Sequence, residues 1–172
     1  MDKGYIQIYT GDGKGKTTAA IGLAIRAYGA GLKIFFAQFV KGQEYSEIKA
    51  LKKFEDRIFI RQYGRECFIY KKPTEEDIEI ARNGWEQVKR AIFEEEYDVI
   101  ILDELNIALY YELISVKDVI DVLKNKPVSK EVVITGRKMP NEFFEYADLI
   151  TEMKEIKHYY QKGIQARKGI EF

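Results

Sequence analysis

Cysteine and histidine are almost absent: Cys67 and His158 are the only ones among 172 residues. A lone cysteine forms no internal disulfide, and this pair leaves no cysteine-based zinc ribbon and no histidine-rich metal site. Neither has a patterned partner, so the usual serine, histidine or cysteine nucleophile sets are hard to assemble. Proline is scarce, at three residues, and no Pro/Ser-rich linker divides the chain. No apolar run approaches the roughly 18 residues of a membrane-spanning helix. Neither charge is in surplus, because 28 Lys plus Arg offset 28 Asp plus Glu, so no bulk field points to nucleic acid or an anionic membrane. With no apolar signal segment ahead of the first strand, the expectation is a cytoplasmic protein whose residues 1–172 form one domain.

What is present begins near the amino end. The run Tyr5-Ile6-Gln7-Ile8-Tyr9 leads into Thr10-Gly11-Asp12-Gly13-Lys14-Gly15-Lys16-Thr17-Thr18, and the helix-forming Ala19-Ala20-Ile21-Gly22-Leu23-Ala24 follows. In a strand, glycine turn and helix start of this kind, loop amides converge on a polyphosphate, Lys16 supplies a point charge and Thr17 offers a hydroxyl to magnesium. Gly11, Asp12, Gly13, Lys14, Gly15, Lys16, Thr17 and Thr18 are therefore the candidate ATP-binding residues. Thr10 stands where the strict G-x-x-x-x-G-K-[ST] pattern has its first glycine, but the G-K-G-K-T-T end and its flanks are intact. The competing reading is a Gly/Lys-rich surface turn. A dinucleotide fingerprint fits worse, since it would need glycine at Lys16.

Short β-rich runs alternate with helical patterns along the rest of the chain. Strands are predicted over residues 5–10, 33–40, 58–63, 98–103, 131–135 and 148–151, and helices over 16–28, 44–53, 74–96, 116–124 and 141–147. The clearest helix has Thr74 as N-cap, acids at Glu75, Glu76 and Asp77, and an apolar stripe of Ile78, Ala81, Trp85, Val88 and Ile92. Strands that read as continuous apolar runs, such as Val99-Ile100-Ile101-Leu102, belong to sheets covered on both faces. The fold class is thus a three-layer α/β domain with a mostly parallel sheet and helices on both faces.

Two further segments carry possible chemistry. Asp103 and Glu104 end the run Tyr97-Asp98-Val99-Ile100-Ile101-Leu102, where a magnesium ion beside a phosphate loop needs hard oxygen ligands. The alternative is a strand running into a capped helix from about Leu105, with Asn106 structural or touching a ligand. Thr135-Gly136-Arg137 closes the strand Val132-Val133-Ile134, and Arg137 either faces a nucleotide phosphate or is a solvated turn residue. These parts bind a nucleoside triphosphate without choosing its reaction. Hydrolysis or phosphoryl transfer with Glu104 polarising the attacking group, and a non-catalytic nucleotide switch, both stay open.

The ordered set of T-G-D-G-K-G-K-T-T-A-A, Gln38-Phe39-Val40-Lys41-Gly42, Leu102-Asp103-Glu104-Leu105-Asn106, Val133-Ile134-Thr135-Gly136-Arg137, Ala147-Asp148-Leu149-Ile150-Thr151-Glu152-Met153 and the ending Gly163 to Phe172 resembles the RecA-like P-loop family of ATP:corrinoid adenosyltransferases. The resemblance implies transfer of the 5′-deoxyadenosyl group of ATP to the Co(I) of a reduced corrinoid, with release of triphosphate. It implies ATP and the corrinoid as substrates, Mg2+ as cofactor, an external reductant for cobalt, and a homodimer that needs neither nucleic acid nor membrane. Lys16, Thr17 and Glu104 become the expected catalytic residues, with Thr17, Asp103 and Glu104 toward the metal.

On the corrinoid side the expected contacts are Lys41, Arg65, Phe68 and Asn106. Family members place aromatics from the loop after the third strand beside the corrin, in longer members with a Gly-Phe-x-Trp pattern. This chain reads Gly64-Arg65-Glu66-Cys67-Phe68, leaving Phe68 as the nearest aromatic and Trp85 as a core residue. The loop around residues 42–45, the tail from about residue 154, or a second subunit is expected to cover the site. The apolar residues Tyr159, Tyr160, Ile164, Ile170 and Phe172 predict that much of this tail packs on the domain.

Overall fold

In the computed structural model, residues 1–65 and 72–172 are described. Six strands, β1 (Ile6–Thr10), β2 (Ile34–Phe39), β3 (Ile58–Tyr63), β4 (Val99–Asp103), β5 (Glu131–Thr135) and β6 (Leu149–Glu152), form one sheet in the order β3-β2-β4-β5-β1-β6. Every neighbouring pair is parallel. Parallel neighbours need crossovers, and helices α1 (Lys16–Gly29), α2 (Ser46–Leu51), α3 (Glu75–Phe93), α4 (Leu105–Tyr110) and α5 (Val116–Asn125) lie along them.

Alternation along the strands builds two core layers. Ile34, Phe36, Val99, Ile101 and Val133 pack with Ala20, Ala24 and Ala27 of α1 and Leu51 of α2. Phe35, Ala37, Phe39, Ile100, Leu102 and Ile134 face the other way, toward Trp85 and Val88 of α3, Leu105 and Ala108 of α4, and Val119 of α5. β2 and β4 are buried along their whole length, which is why they read as unbroken apolar runs. The three-layer expectation holds.

Several boundaries differ from the periodic reading for physical reasons. α3 stops at Phe93, because Glu94, Glu95 and Glu96 would set three negative charges on the negative end of the helix dipole. At its other end Thr74 and Asp77 exchange side-chain and backbone bonds in a capping box. The helix expected over residues 44–53 shrinks to α2 followed by a 3-10 turn, Lys52–Phe54. Ahead of α2, Gly42 is pressed against Gly64 and the Gln43 carbonyl accepts from Gln62, so this segment is drawn over the strand ends. Residues 141–147 form only a 3-10 turn, Asn141–Glu145, which follows Pro140 and is anchored by buried Phe143.

Candidate active site

The glycine-rich loop joins β1 to α1. Gly15 has φ 116°, a left-handed conformation that glycine adopts without a steric penalty, and this turns the chain into the helix. At Gly11 and Gly13 the constraint is space: a β-carbon would lie 2.5 Å and 2.6 Å from the Met153 carbonyl oxygen. The Gly13 N–H donates to that oxygen at 2.7 Å. The outer loop is therefore fastened to the residue after β6, and the first turn of α1 is left facing the cleft. That turn has no side-chain cap and no acid. Lys16 is buried, its Nζ donating to the Gly11 and Gly13 carbonyls at 2.7 Å each. Burial, and then Arg137, push its pKa below the ordinary lysine value.

Asp103 stands behind this loop with no exposed surface. Its Oδ1 accepts from the hydroxyls of Thr17 at 2.8 Å and Thr135 at 2.6 Å, and its Oδ2 from Gln38 Nε2 at 2.9 Å. Glu104 follows in a left-handed conformation, φ 58°, its backbone N–H donating to Thr135 Oγ1 at 3.1 Å. Lys41 Nζ lies 3.7 Å from both Asp103 Oδ2 and Glu104 Oε1. Burial and then Asp103 raise the Glu104 pKa, against Lys41, Lys16 and Arg137. For Lys41, burial opposes the charge but Asp103 and Glu104 outweigh it and raise its pKa.

Lys16, Thr17, Lys41, Glu104 and Arg137 line one cleft of about 640 Å³, whose far wall is the C-terminal tail. Lys14 Nζ donates to Tyr159 Oη at 3.1 Å, to the Ile170 carbonyl at 2.9 Å and to Glu171 Oε1 at 2.8 Å. Tyr159 and Arg167 also bind Glu171, and with Lys14 foremost this set holds its carboxyl far below the usual carboxylate range. The hold is more polar than the apolar packing expected for the tail: the Phe172 ring meets Tyr45 at 6.1 Å, but Tyr160 is 66% exposed and Ile170 56%.

Among the described residues no three His, Cys, Asp or Glu side chains cluster to cage a metal. One hydroxyl with adjacent carboxylates fits Mg2+, which keeps waters and takes phosphate oxygens. Asp103 has three of its four lone-pair positions filled, so it would reach such an ion through Thr17 or through water.

The remaining candidates separate. Gly13 to Thr18 and Arg137 line the cleft, whereas Gly11 and Asp12 sit outside its lining. Lys41 lines the same cleft. Arg65 is forked onto Asp77, at 2.7 Å and 3.0 Å, bracing the start of α3. Asn106 has no exposed surface, donates from Nδ2 to the Gly136 carbonyl at 2.8 Å, and so holds the turn that presents Arg137 instead of lining the cleft. Phe68 lies outside the described residues. Trp85 is core, its Nε1 donating to Asp118 at 2.5 Å. The sequence reading gives Gln38 and Glu171 no role and takes Thr135 only within the segment that carries Arg137; a polar side chain inside the apolar run Ile34–Phe39 is the available signal for Gln38.

Comparison with known proteins decides among the chemistries left open. The sequence profile of the family described as ATP:corrinoid adenosyltransferase BtuR/CobO/CobP matches residues 2–172. The chain belongs to this family. Corrinoid adenosyltransferases from Sinorhizobium sp and Escherichia coli are 36% and 32% identical to it, covering 99% of this chain and 81% and 87% of their own lengths. The Pseudomonas aeruginosa corrinoid adenosyltransferase is 31% identical, over 99% of this chain and 85% of its own. Among solved structures, flagellar accessory protein FlaH from Methanocaldococcus jannaschii superposes with a TM-score of 0.61 at 16% identity, over 88% of this chain and 72% of that one, a likeness of fold alone. The adenosyltransferase thus has P-loop NTPase architecture and is an enzyme that uses ATP and a corrinoid as substrates.

Proposed function

We propose that the cleft grips all three phosphates of ATP so that they leave together as the adenosyl C5′ bonds to cobalt. The observation that carries this reading is the convergence of Lys16, Lys41, Arg137 and the uncapped start of α1 on one cleft, with Thr17 and Asp103 hydrogen-bonded at its base. The reduced corrinoid brings its own nucleophile, so the chain has no need of one. The electron pair of Co(I) forms the cobalt–carbon bond, the C5′–O bond breaks, and its pair remains on the triphosphate oxygen. No proton moves. Lys16 and Arg137 face the charge that grows on that oxygen and its neighbours, and the fixed loop needs no reorganisation as it develops. Mg2+ held at Thr17, with Asp103 and Glu104 reached through water, would neutralise part of the same charge. On the apolar side, Ile21 and Ile170 offer a surface to the adenosine.

The corrinoid approaches over the ends of β2 and β3, where Lys41 and Arg65 stand and the segment bearing Phe68 begins. An external reductant, a homodimer and a cytoplasmic setting complete the reading. With ATP, Mg2+ and chemically reduced corrinoid, the expected products are a light-sensitive cobalt–carbon compound and an equal amount of triphosphate. Lys16→Ala is expected to slow their formation by about 10² to 10³, the scale for loss of one preorganised anion-stabilising group. ADP and phosphate appearing in place of triphosphate would overturn the proposal.

A further inference from the structure

Three polar side chains lie side by side across three strands. Gln38 on β2 is in register with both Gln62 on β3 and Asp103 on β4. Gln38 has no exposed surface and sits between Phe36 and Phe39, both fully buried. A primary amide in such a layer is costly unless hydrogen-bonded. Its Nε2 donates to Asp103 Oδ2 at 2.9 Å, and its Oε1 accepts from Gln62 Nε2 at 2.8 Å. The same Gln62 nitrogen donates to the Gln43 carbonyl at 2.9 Å, in the segment that carries Lys41.

The chemistry permits only one direction along this line. Asp103 accepts all three of its side-chain bonds, so Gln38 turns its NH2 toward it and its carbonyl toward Gln62, which donates. We propose that Gln62 and Gln38 are positioning residues, a one-way amide relay that fixes Asp103 with Oδ1 on the Thr17 hydroxyl and ties it to the loop over residues 41–45. This rests on the reading of Thr17 and Asp103 as the magnesium end of the site. Outer partners of this kind change metal affinity by about 10- to 100-fold when removed.

The relay has a polarity that packing alone does not have. Gln62→Glu keeps the shape but can only accept, drawing the Gln38 NH2 away and turning its carbonyl toward Asp103. Gln62→Lys can only donate and preserves the direction. Bulk charge predicts the reverse order, since an added carboxylate attracts a divalent cation and an added ammonium repels it. Gln62 is only partly buried on an edge strand, so both variants should fold, which thermal unfolding checks.

The test measures Mn2+ binding by electron paramagnetic resonance on the full chain with ATP and without corrinoid. The expected result is binding about 10- to 100-fold weaker in Gln62→Glu and at least as weak in Asp103→Asn, with Gln62→Lys within about threefold of the unaltered protein. Wild-type binding in Gln62→Glu, or equal losses in Gln62→Glu and Gln62→Lys, would overturn the relay while a loss in Asp103→Asn left the metal reading standing. Undiminished binding in Asp103→Asn would remove both.

Discussion

Glu104 carries two penalties at one position. A left-handed conformation costs a non-glycine residue about 1–3 kcal/mol, and burial together with Asp103 disfavours its ionised side chain. In the unfolded chain this carboxyl titrates near its ordinary value of 4.5, and in the folded chain above it. Below the unfolded value both states hold the proton and nothing is lost; as pH rises through the folded value, folding must carry an unfavourable charge and stability falls. Glu104→Gln is therefore expected to unfold at a higher temperature than the unaltered protein at neutral pH, with the gap closing in acid, as thermal unfolding across a pH series would read. An equal gap at every pH would contradict this. Strain and electrostatic cost gathered at a cleft residue are what a site retained for function looks like.

Between elements, α3 comes close onto β3 at one glycine. A β-carbon at Gly84 would lie 2.3 Å from Cγ of the Tyr63 ring, itself so buried that its hydroxyl pKa is pushed up to about 12. Gly84→Ala is expected to destabilise the fold by about 1–3 kcal/mol, measured by denaturant unfolding, through overpacking rather than through helix propensity, which favours alanine. Nothing in the spacing of the α3 stripe announces that contact, because Gly84 reads as a weak helix residue until Tyr63 is placed opposite it. Elements whose pattern was local were legible: β3 and β5 fall on the predicted residues, and the capped start of α3 followed from Thr74 and its acids. So was the glycine turn from β1 into α1, whose pattern lies in consecutive residues. The Gln62–Gln38–Asp103 line was not, since it exists only once three strands distant in sequence lie in register. The short α2 likewise depends on a segment held by Gln62 from another strand.

At the scale of the molecule, the tail is attached differently from the rest. Its ties to the loop are exposed ion pairs and hydrogen bonds around Lys14, and exposed pairs hold weakly against water. Trypsin is expected to cut first after Lys154, Lys157, Lys162, Arg167 or Lys168, with the six-stranded body intact and with ATP slowing the cuts; mass spectrometry of early fragments checks the order, and early cleavage within the sheet would refute it. The body is closed by the parallel strand order, and this bears on how the chain acquires its ligand. Gln38, Asp103 and Thr135 come from three strand ends and Thr17 from the start of α1, and they meet only when the sheet has assembled. Long-range pairing of this kind forms late and slowly. No partly folded chain should hold nucleotide, so ATP at a hundred times its Kd adds about 2.7 kcal/mol to the finished fold alone. Retention of nucleotide is then a report that folding has reached its end.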